Sequence, residues 1–178
     1  MHILFIGYGK TSRRVAKQLF EQGHQISTIS QSPKTDSFAT HLIQDVHQLD
    51  LTAVAPIDWV YVLLSPKQST VEGYQQTYLD SVQPIVAALK QHPVKRIVVV
   101  SSTRVCGQNS GGIVDDETEI HPIDAQGKIL QQMEQAYFAA YPEQCTIIRP
   151  SGIYGTSVIR LQKMAASMTS YPNLHWSN

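Results

Sequence analysis

The segment that most constrains the fold is residues 3–16, ILFIGYGKTSRRVA, near the start of this 178-residue chain. Its first four residues are apolar and include no turn former, which predicts a buried β-strand. Gly7 and Gly9 then predict a tight turn, and the residues that follow have the spacing of an amphipathic helix. The order of strand, glycine turn and helix predicts the first half of a β-α-β unit.

The same turn has the chemistry of an anion site. Gly7 would make the turn, and Gly9 would let a diphosphate approach the backbone because no Cβ intrudes. The free N–H groups at the start of the helix, at Lys10 and Thr11, would then bind the anion. Ser12 occupies the position of the usual third glycine, where a small side chain lets helix and strand pack closely. We therefore predict dinucleotide binding; the alternative is an ordinary strand-to-helix turn.

Strand-like and helix-like segments alternate along the rest of the chain. Apolar runs predict five further strands, at residues 26–29, 41–46, 57–66, 96–102 and 145–150. Most of these runs lack polar alternation, as strands buried on both faces of a parallel sheet do. Helices are expected at residues 72–91, with a kink or break at Pro84, and at residues 129–140. This rhythm predicts an α/β fold with a doubly wound parallel sheet, the Rossmann fold.

Ligands of such sheets bind beyond the carboxyl ends of the strands. The residues at those ends should therefore form one rim, which we predict to be the binding site. Its members are Gly7, Ser30, Asp45, Leu64, Ser65, Ser101, Ser102 and Pro150.

The residues after the second strand bear on the choice between NAD and NADP. A carboxylate there would bind the ribose 2′-hydroxyl and repel a 2′-phosphate. Residues 30–34 read SQSPK and include no acid. The hydroxyl of Ser30 and the ammonium of Lys34, with Arg13 or Arg14, could accept a 2′-phosphate. This favours NADP over NAD; the alternative for Lys34 is a solvated loop lysine.

Charge and composition argue against several other classes of partner. The chain has 14 basic and 14 acidic residues and no net formal charge, so neither nucleic acid nor an anionic membrane is an expected partner. No apolar run reaches membrane-spanning length. Cys106 and Cys145 lack the spacing of redox or zinc motifs, and the seven histidines are scattered, so no metal site is predicted. We expect reduced thiols and a cytoplasmic location.

Two later segments carry a family resemblance. Residues 94–107, VKRIVVVSSTRVCG, are similar to a strand ending in the motif SSxxVYG, and residues 148–155, IRPSGIYG, to the motif LRPxxVYG beside the nicotinamide. With the glycine turn, they make the chain resemble the extended short-chain dehydrogenases/reductases, the NAD-dependent epimerase/dehydratase family. The resemblance implies an oxidoreductase or epimerase of a nucleotide sugar or small carbonyl compound. It also implies that Asp45 and Val46 lie by the adenine.

The family's catalytic pair is missing from the matching positions. The resemblance implies a tyrosine that acts as acid and base and a lysine four residues later that lowers its pKa. Alignment on Gly127, Lys128 and Glu134 puts these positions at Gln126 and Leu130, which can do neither task. Ser102 matches the family's catalytic hydroxyl and Thr103 adjoins it, so these are the predicted catalytic residues. The alternative for Ser102 is a cap on local backbone groups.

Three functions remain open from the sequence. The first is an enzyme that uses Ser102 and another acid, and the second is a catalytically inactive dinucleotide-binding sensor or regulatory protein. The third is a flavodoxin-like scaffold in which the glycine turn is only structural. We expect an NAD(P)-binding domain at residues 1–155 and, at residues 156–178, the start of a truncated or minimal C-terminal substrate lobe. Residues 72–91 and 129–140 are candidate helices for pairing in a homodimer, and the small-molecule substrate is not predicted.

Overall fold

In the computed structural model, which describes residues 1–107 and 113–153, the chain forms a parallel sheet with helices on both faces. Within these residues the strands are His2–Ile6 (β1), Gln25–Ser30 (β2), Thr40–Ile43 (β3), Trp59–Val62 (β4), Arg96–Val100 (β5) and Cys145–Ile148 (β6). The α-helices are Lys10–Glu21 (α1), Val71–Tyr74 (α2), Val82–Leu89 (α3) and Ala125–Ala140 (α4).

The strand order β3-β2-β1-β4-β5-β6 is that of a doubly wound dinucleotide-binding sheet. All neighbouring strands pair in parallel, with Ile3 of β1 opposite Ile26 on one side and Trp59 on the other. The order reverses between β1 and β4, and such a switch point opens a crevice at the carboxyl ends of the strands. The predicted fold class is therefore confirmed.

Strand β1 lies at the centre of the core and is buried on both faces. Leu4 and Ile6 pack on the side of α3 and α4, while Ile3 and Phe5 pack with Ala16 of α1. These four apolar side chains of β1 are fully buried. This accounts for the apolar run before the glycine turn, because a strand covered on both sides has no face for polar residues.

Four strands end earlier than the sequence predicts: β5 ends at Val100 and not at residue 102, β6 ends at Ile148 and not at residue 150, and β3 and β4 also end early. Strand β3 stops at Ile43, and Asp45 then begins a 3₁₀ turn, Val46–Gln48, by accepting the backbone N–H of His47 at 3.0 Å. Strand β4 covers Trp59–Val62, whereas the prediction extended from 57 to 66. The shortening of β3 and β4 leaves polar residues at the carboxyl edge of the sheet.

The helix predicted at residues 72–91 is broken, as Pro84 led us to expect. A π-helical turn, Gln75–Leu79, follows α2, and the backbone N–H of Asp80 donates to Gln75 O at 2.9 Å. Helix α3 then starts afresh, with Pro84 as its third residue. At that position the missing N–H costs nothing, because the first N–H groups of a helix have no intrahelical partner.

Parts of the sequence prediction lie outside the described residues. These are most of the polar loop before residue 113, the end of the second family motif at Tyr154 and Gly155, and the predicted lobe segment 156–178. None of the helices in the part of the chain that the structure describes is long and apolar enough to cross a bilayer.

Candidate functional site

A cleft of about 960 Å³ lies at the carboxyl edge of the sheet, beyond β1 to β4. Its size is at the upper end of the range for small-molecule sites, about 300–1,000 Å³. Eight of the predicted cofactor residues line it: Gly7, Gly9, Ser30, Lys34, Asp45, Val46, Leu64 and Ser65. The other predicted site residues, Lys10, Thr11, Ser12, Ser101, Ser102, Thr103 and Pro150, do not line it.

Gly7 forms the turn at which three strand ends meet. Its φ is +89°, a left-handed conformation that glycine adopts without steric cost. A Cβ at this position would lie 2.2 Å from the carbonyl oxygen of Leu63, just beyond β4. The N–H of Gly7 donates to Ile29 O of β2 at 3.0 Å. No other residue fits here, so the predicted structural role of Gly7 is confirmed.

Gly9 opens the floor of the cleft at the start of α1. It is the residue before the helix, and a Cβ there would meet no atom within 4 Å. The first intrahelical hydrogen bond runs from Arg13 N–H to Gly9 O at 3.0 Å. The N–H groups of Lys10, Thr11 and Ser12 precede that bond and therefore have no partner within the helix. These groups, with the positive end of the helix dipole, can bind an anion.

Ser12 does more than keep the helix close to the strand. Its side chain is buried, as a packing role requires, and its hydroxyl donates to Gly7 O at 2.7 Å. The serine therefore satisfies a carbonyl of the turn that a glycine would leave without this donor. Its hydroxyl is engaged inside the protein, so only its backbone N–H is available to a ligand.

The turn after β2 gathers hydroxyl and ammonium groups at one end of the cleft. Ser30 Oγ donates to Ser32 O at 2.7 Å, and Lys34 Nζ donates to Ser32 Oγ at 2.9 Å. Arg13, the alternative cation, is instead held by Asp36, with its Nε 2.7 Å from Asp36 Oδ1. This hydrogen bond is the main cause that lowers the pKa of Asp36. Lys34 is therefore the better-placed cation for this end of the cleft.

Tyr8, between the two glycines, also lines the cleft and donates its hydroxyl to Asp36 at 3.2 Å. Burial, and then the nearby Asp36 charge, raise the pKa of Tyr8 to about 12. It therefore stays a neutral phenol at physiological pH and adds no negative charge beside a diphosphate.

Asp45 is held by His47 at the rim of the cleft. Asp45 Oδ1 lies 2.8 Å from Nδ1 of the imidazole, and Nε2 of that ring lies 2.9 Å from the carbonyl oxygen of Gln76. Both ring nitrogens face acceptors, which suits the protonated ring. The hydrogen bond to Asp45 is the main cause that raises the pKa of His47, and the backbone hydrogen bond from His47 lowers the pKa of Asp45.

Sequence reasoning missed the part of the cleft wall that follows β4. Lys67, Gln68, Thr70 and Glu72 line the cleft there. Thr70 Oγ1 accepts the N–H of Gly73 at 3.0 Å and so caps α2. A threonine between a strand end and a helical segment is a helix-start signal that could have located this wall.

The hydroxyl residues after β5 lie away from the cleft. Ser102 Oγ accepts the N–H of Arg104 at 3.2 Å and begins the 3₁₀ turn Thr103–Cys106. The N–H of Thr103 donates to Pro150 O at 3.3 Å. Ser102 therefore caps local backbone in this structure, and its catalytic role stays a prediction.

Neither position of the expected catalytic pair faces the cleft. Leu130 is 1% exposed and belongs to the core beside α3. Gln126 accepts a hydrogen bond from Arg104 through Oε1 and donates from Nε2 to Ser69 O at 2.9 Å. Both the oxygen and the nitrogen of the Gln126 side-chain amide are thus engaged in protein contacts.

Comparison with known proteins agrees with the geometry of the cleft. Residues 7–165 match the family model described as NAD(P)H-binding. Among curated proteins, Protein YeeZ of Escherichia coli strain K12 is 28% identical over 106 residues, which are 60% of this chain and 38% of that protein.

Solved structures share the fold. One from Methylobacillus flagellatus, described as an NAD-dependent epimerase/dehydratase, is 28% identical with a TM-score of 0.77 and covers 96% of this chain and 61% of its own. UDP-glucuronic acid 4-epimerase from Bacillus cereus, in complex with NAD, is 19% identical with a TM-score of 0.73 over 87% of this chain and 58% of its own. This chain therefore spans less than two thirds of the length of each protein named here.

Proposed function

The chain belongs to the NAD(P)H-binding family, and from that premise we propose that the cleft binds NADP(H) or NAD(H) through the turn at Gly7 and Gly9. One observation supports this most: Gly9 lines the cleft at the start of α1 and leaves open space where any other residue would place a Cβ. A pyrophosphate in that space meets the N–H groups of the first helical turn. The sheet is that of NAD-dependent epimerases and dehydratases, which confirms the family resemblance.

We further propose that the chain binds the dinucleotide but does not transfer hydride with a tyrosine and lysine pair. The described residues support this. A bound nicotinamide would supply hydride chemistry, but an acid or base must also move a proton. Gln126 has no titratable proton, and Leu130 is buried among core side chains. This favours the sensor or regulatory alternative.

Replacing Gly9 by valine tests the proposed function. We expect NADPH and NADH affinity to fall at least tenfold, because the new side chain occupies the space that the pyrophosphate needs. The fold should be kept, since a Cβ at Gly9 meets no atom within 4 Å. Isothermal titration calorimetry measures the affinity, and circular dichroism checks the fold.

Lys17→Val is the control, because it places the same side chain on an exposed position of α1 that does not line the cleft. It should leave the affinity within twofold of wild type. Full binding by Gly9→Val would remove the basis of the proposal.

We propose NADP as the preferred form, on the basis of Ser30, Ser32 and Lys34. Lys34→Glu should weaken NADPH at least tenfold and change NADH less than threefold, because a carboxylate repels only the 2′-phosphate. Lys90→Glu makes the same charge change at the end of α3, at the opposite edge of the sheet, and should alter neither affinity. Tighter binding of NADH than NADPH by the unmodified chain would contradict this preference.

An oxidoreductase or epimerase is the second candidate, and the hydroxyls of Ser101, Ser102 and Thr103 at the end of β5 favour it. The Bacillus cereus relative has been solved with UDP-glucuronic acid and NAD, so a sugar nucleotide is the first substrate class to try. Incubation with NADPH and a carbonyl and sugar-nucleotide panel should give no turnover if the chain only binds. Turnover that Ser102→Ala abolishes would establish the second candidate instead.

A further inference from the structure

Two walls of the cleft meet at its rim. One is the 3₁₀ turn Val46–Gln48 after β3, and the other is the π-helical turn Gln75–Leu79 after α2. Both walls contribute to the lining of the cleft, through Asp45, Val46, His47, Gln76 and Thr77. His47 and Gln76 are 29 residues apart in the sequence, and a contact between them joins the two walls.

The imidazole of His47 makes this contact and a second one. Its Nε2 lies 2.9 Å from Gln76 O, and its Nδ1 lies 2.8 Å from Asp45 Oδ1. Asp45 is fixed in turn by Gln31, whose Nε2 donates to Asp45 Oδ2 at 3.3 Å. We call the two contacts of the His47 ring the His47 bridge. It connects the turn after β3 to a carbonyl of the π-helical turn.

Only a protonated ring can complete the His47 bridge. Gln76 O and the Asp45 carboxylate are both acceptors, so each ring nitrogen must carry a hydrogen to bond its neighbour. A neutral imidazole has a single N–H, and the carboxylate retains it because charge-assisted hydrogen bonds are the stronger ones. The Nε2 atom then presents a lone pair to Gln76 O. Loss of the second proton therefore breaks the contact between the two walls.

The groups around His47 favour the protonated ring. Asp45 faces it from its own turn, and the charge of Asp80 acts on it from the end of the π-helical turn. Helix α3, which also packs against the turn after β3, has the sequence VQPIVAAL and contributes no titratable side chain. The hydrogen bond to Asp45, followed by the one to Gln76 O, raises the pKa of His47. The bridge is therefore complete below the ordinary histidine pKa of about 6.5 and is lost as the pH rises through the raised value.

The His47 bridge affects an anionic ligand of the cleft in two ways. Walls that are joined before binding do not have to be ordered by the ligand, which lowers the entropic cost of binding. The imidazolium also offsets the negative charge of Asp45 at the rim, and so reduces its repulsion of phosphate groups. Both effects strengthen binding when the ring is protonated. The π-helical turn agrees with such a role, since π-helical turns are frequent at functional sites.

We infer that His47 is a positioning residue of the nucleotide site: with its second proton it joins the two walls of the cleft, and nucleotide affinity falls when that proton leaves. This inference rests on the proposed function and adds control of the same site by pH. The side chains of His47 and Asp45 are 41% and 49% exposed, so solvent weakens their attraction. We therefore expect an effect of about threefold on affinity.

Calorimetric titration of the full chain and of His47→Gln with NADP⁺ and NAD⁺, near pH 6 and near pH 8.5, tests the inference. The 2′-phosphate of NADP⁺ titrates with both proteins, so its effect cancels in the ratio of wild-type to variant affinity. For the dinucleotide that binds more tightly, this ratio should be at least twofold larger near pH 6 than near pH 8.5. A smaller change would overturn the inference and leave the proposed function intact. Absence of binding of both dinucleotides by the unmodified chain would overturn the proposed function and, with it, the inference.

His121→Gln is the matched control. It makes the same substitution at another exposed histidine beside a carboxylate, because His121 Nε2 lies 3.0 Å from Glu119 Oε2. His121 does not line the cleft. The control should therefore keep the wild-type dependence of affinity on pH. A control that changes as much as His47→Gln would show that the effect does not belong to the His47 bridge, and would overturn the inference.

A pH titration by NMR of the isotope-labelled full chain, without ligand, tests the His47 bridge itself. The ¹³C signal of the Gln76 carbonyl should shift with the same midpoint as the ring signals of His47, because the ring nitrogen that bonds this carbonyl gains and loses its hydrogen. This measurement needs no variant, so it decides the matter even if His47→Gln fails to fold. A Gln76 carbonyl signal that does not follow the His47 titration would overturn the inference.

Discussion

Replacing Gly7 by alanine is expected to lower the free energy of unfolding by about 2–6 kcal/mol. The backbone at Gly7 has φ +89°, which costs a residue with a side chain about 1–3 kcal/mol. The new Cβ would also lie 2.2 Å from Leu63 O, and relieving such an overlap costs about another 1–3 kcal/mol. Domains of this kind have a total stability of only about 5–15 kcal/mol.

Urea denaturation followed by circular dichroism measures this loss, with Gly9→Ala as the control. Gly9 is two residues away in the same turn, but it has φ −100° and space for a Cβ. Its replacement by alanine should cost no more than about 1 kcal/mol, the usual cost of a poorer helix cap. Equal losses from the two variants would show that Gly7 is not a backbone requirement of the fold.

Arg149→Met is expected to destabilise the chain by about 3–5 kcal/mol, because it leaves a buried carboxylate without its partner. The carboxylate is that of Glu134 on α4, which is 2% exposed. Arg149 contacts it through NH2 at 2.8 Å and through Nε at 3.1 Å, and so ties the segment after β6 to this helix. Removing the arginine breaks these hydrogen bonds and leaves the Glu134 carboxylate unpaired in the core.

A double variant, Glu134→Leu with Arg149→Met, distinguishes the effect of the unpaired charge on stability from the effect of lost packing. Replacing both members of a buried ion pair by apolar residues is often neutral or even stabilising. The double variant should therefore be more stable than Arg149→Met alone in the same urea titration. If it is less stable, the ion pair itself, and not the burial of an unpaired charge, accounts for the effect.

The parts of the fold and site that depend on local backbone chemistry could be predicted from the sequence. Gly7 adopts a backbone conformation that few other residues allow, and Gly9 leaves space for a ligand to approach the backbone. The turn directly after β1 could therefore be predicted from these two residues. Apolar runs without alternation predicted a parallel sheet, because only strands covered on both faces tolerate them. Pro84 predicted the interruption before α3 for an equally local reason.

Contacts between distant segments could not be predicted in this way. Gln126 meets Ser69, which lies 57 residues earlier, and nothing in either segment indicates the other. The imidazole of His47 contacts Gln76 O only because a π-helical turn presents that carbonyl. The sequence placed Ser102 on the binding rim, but the described lining of the cleft includes the segment after β4 and α2, whose packing no single motif encodes.

A crystal structure of the full chain with NADPH tests the central claim most directly. We predict pyrophosphate oxygens about 2.7–3.2 Å from the backbone nitrogens of the first turn of α1, directly above Gly9, with the adenine towards Asp45. A pyrophosphate bound elsewhere, or density at this turn that belongs to the protein's own side chains, would contradict the account.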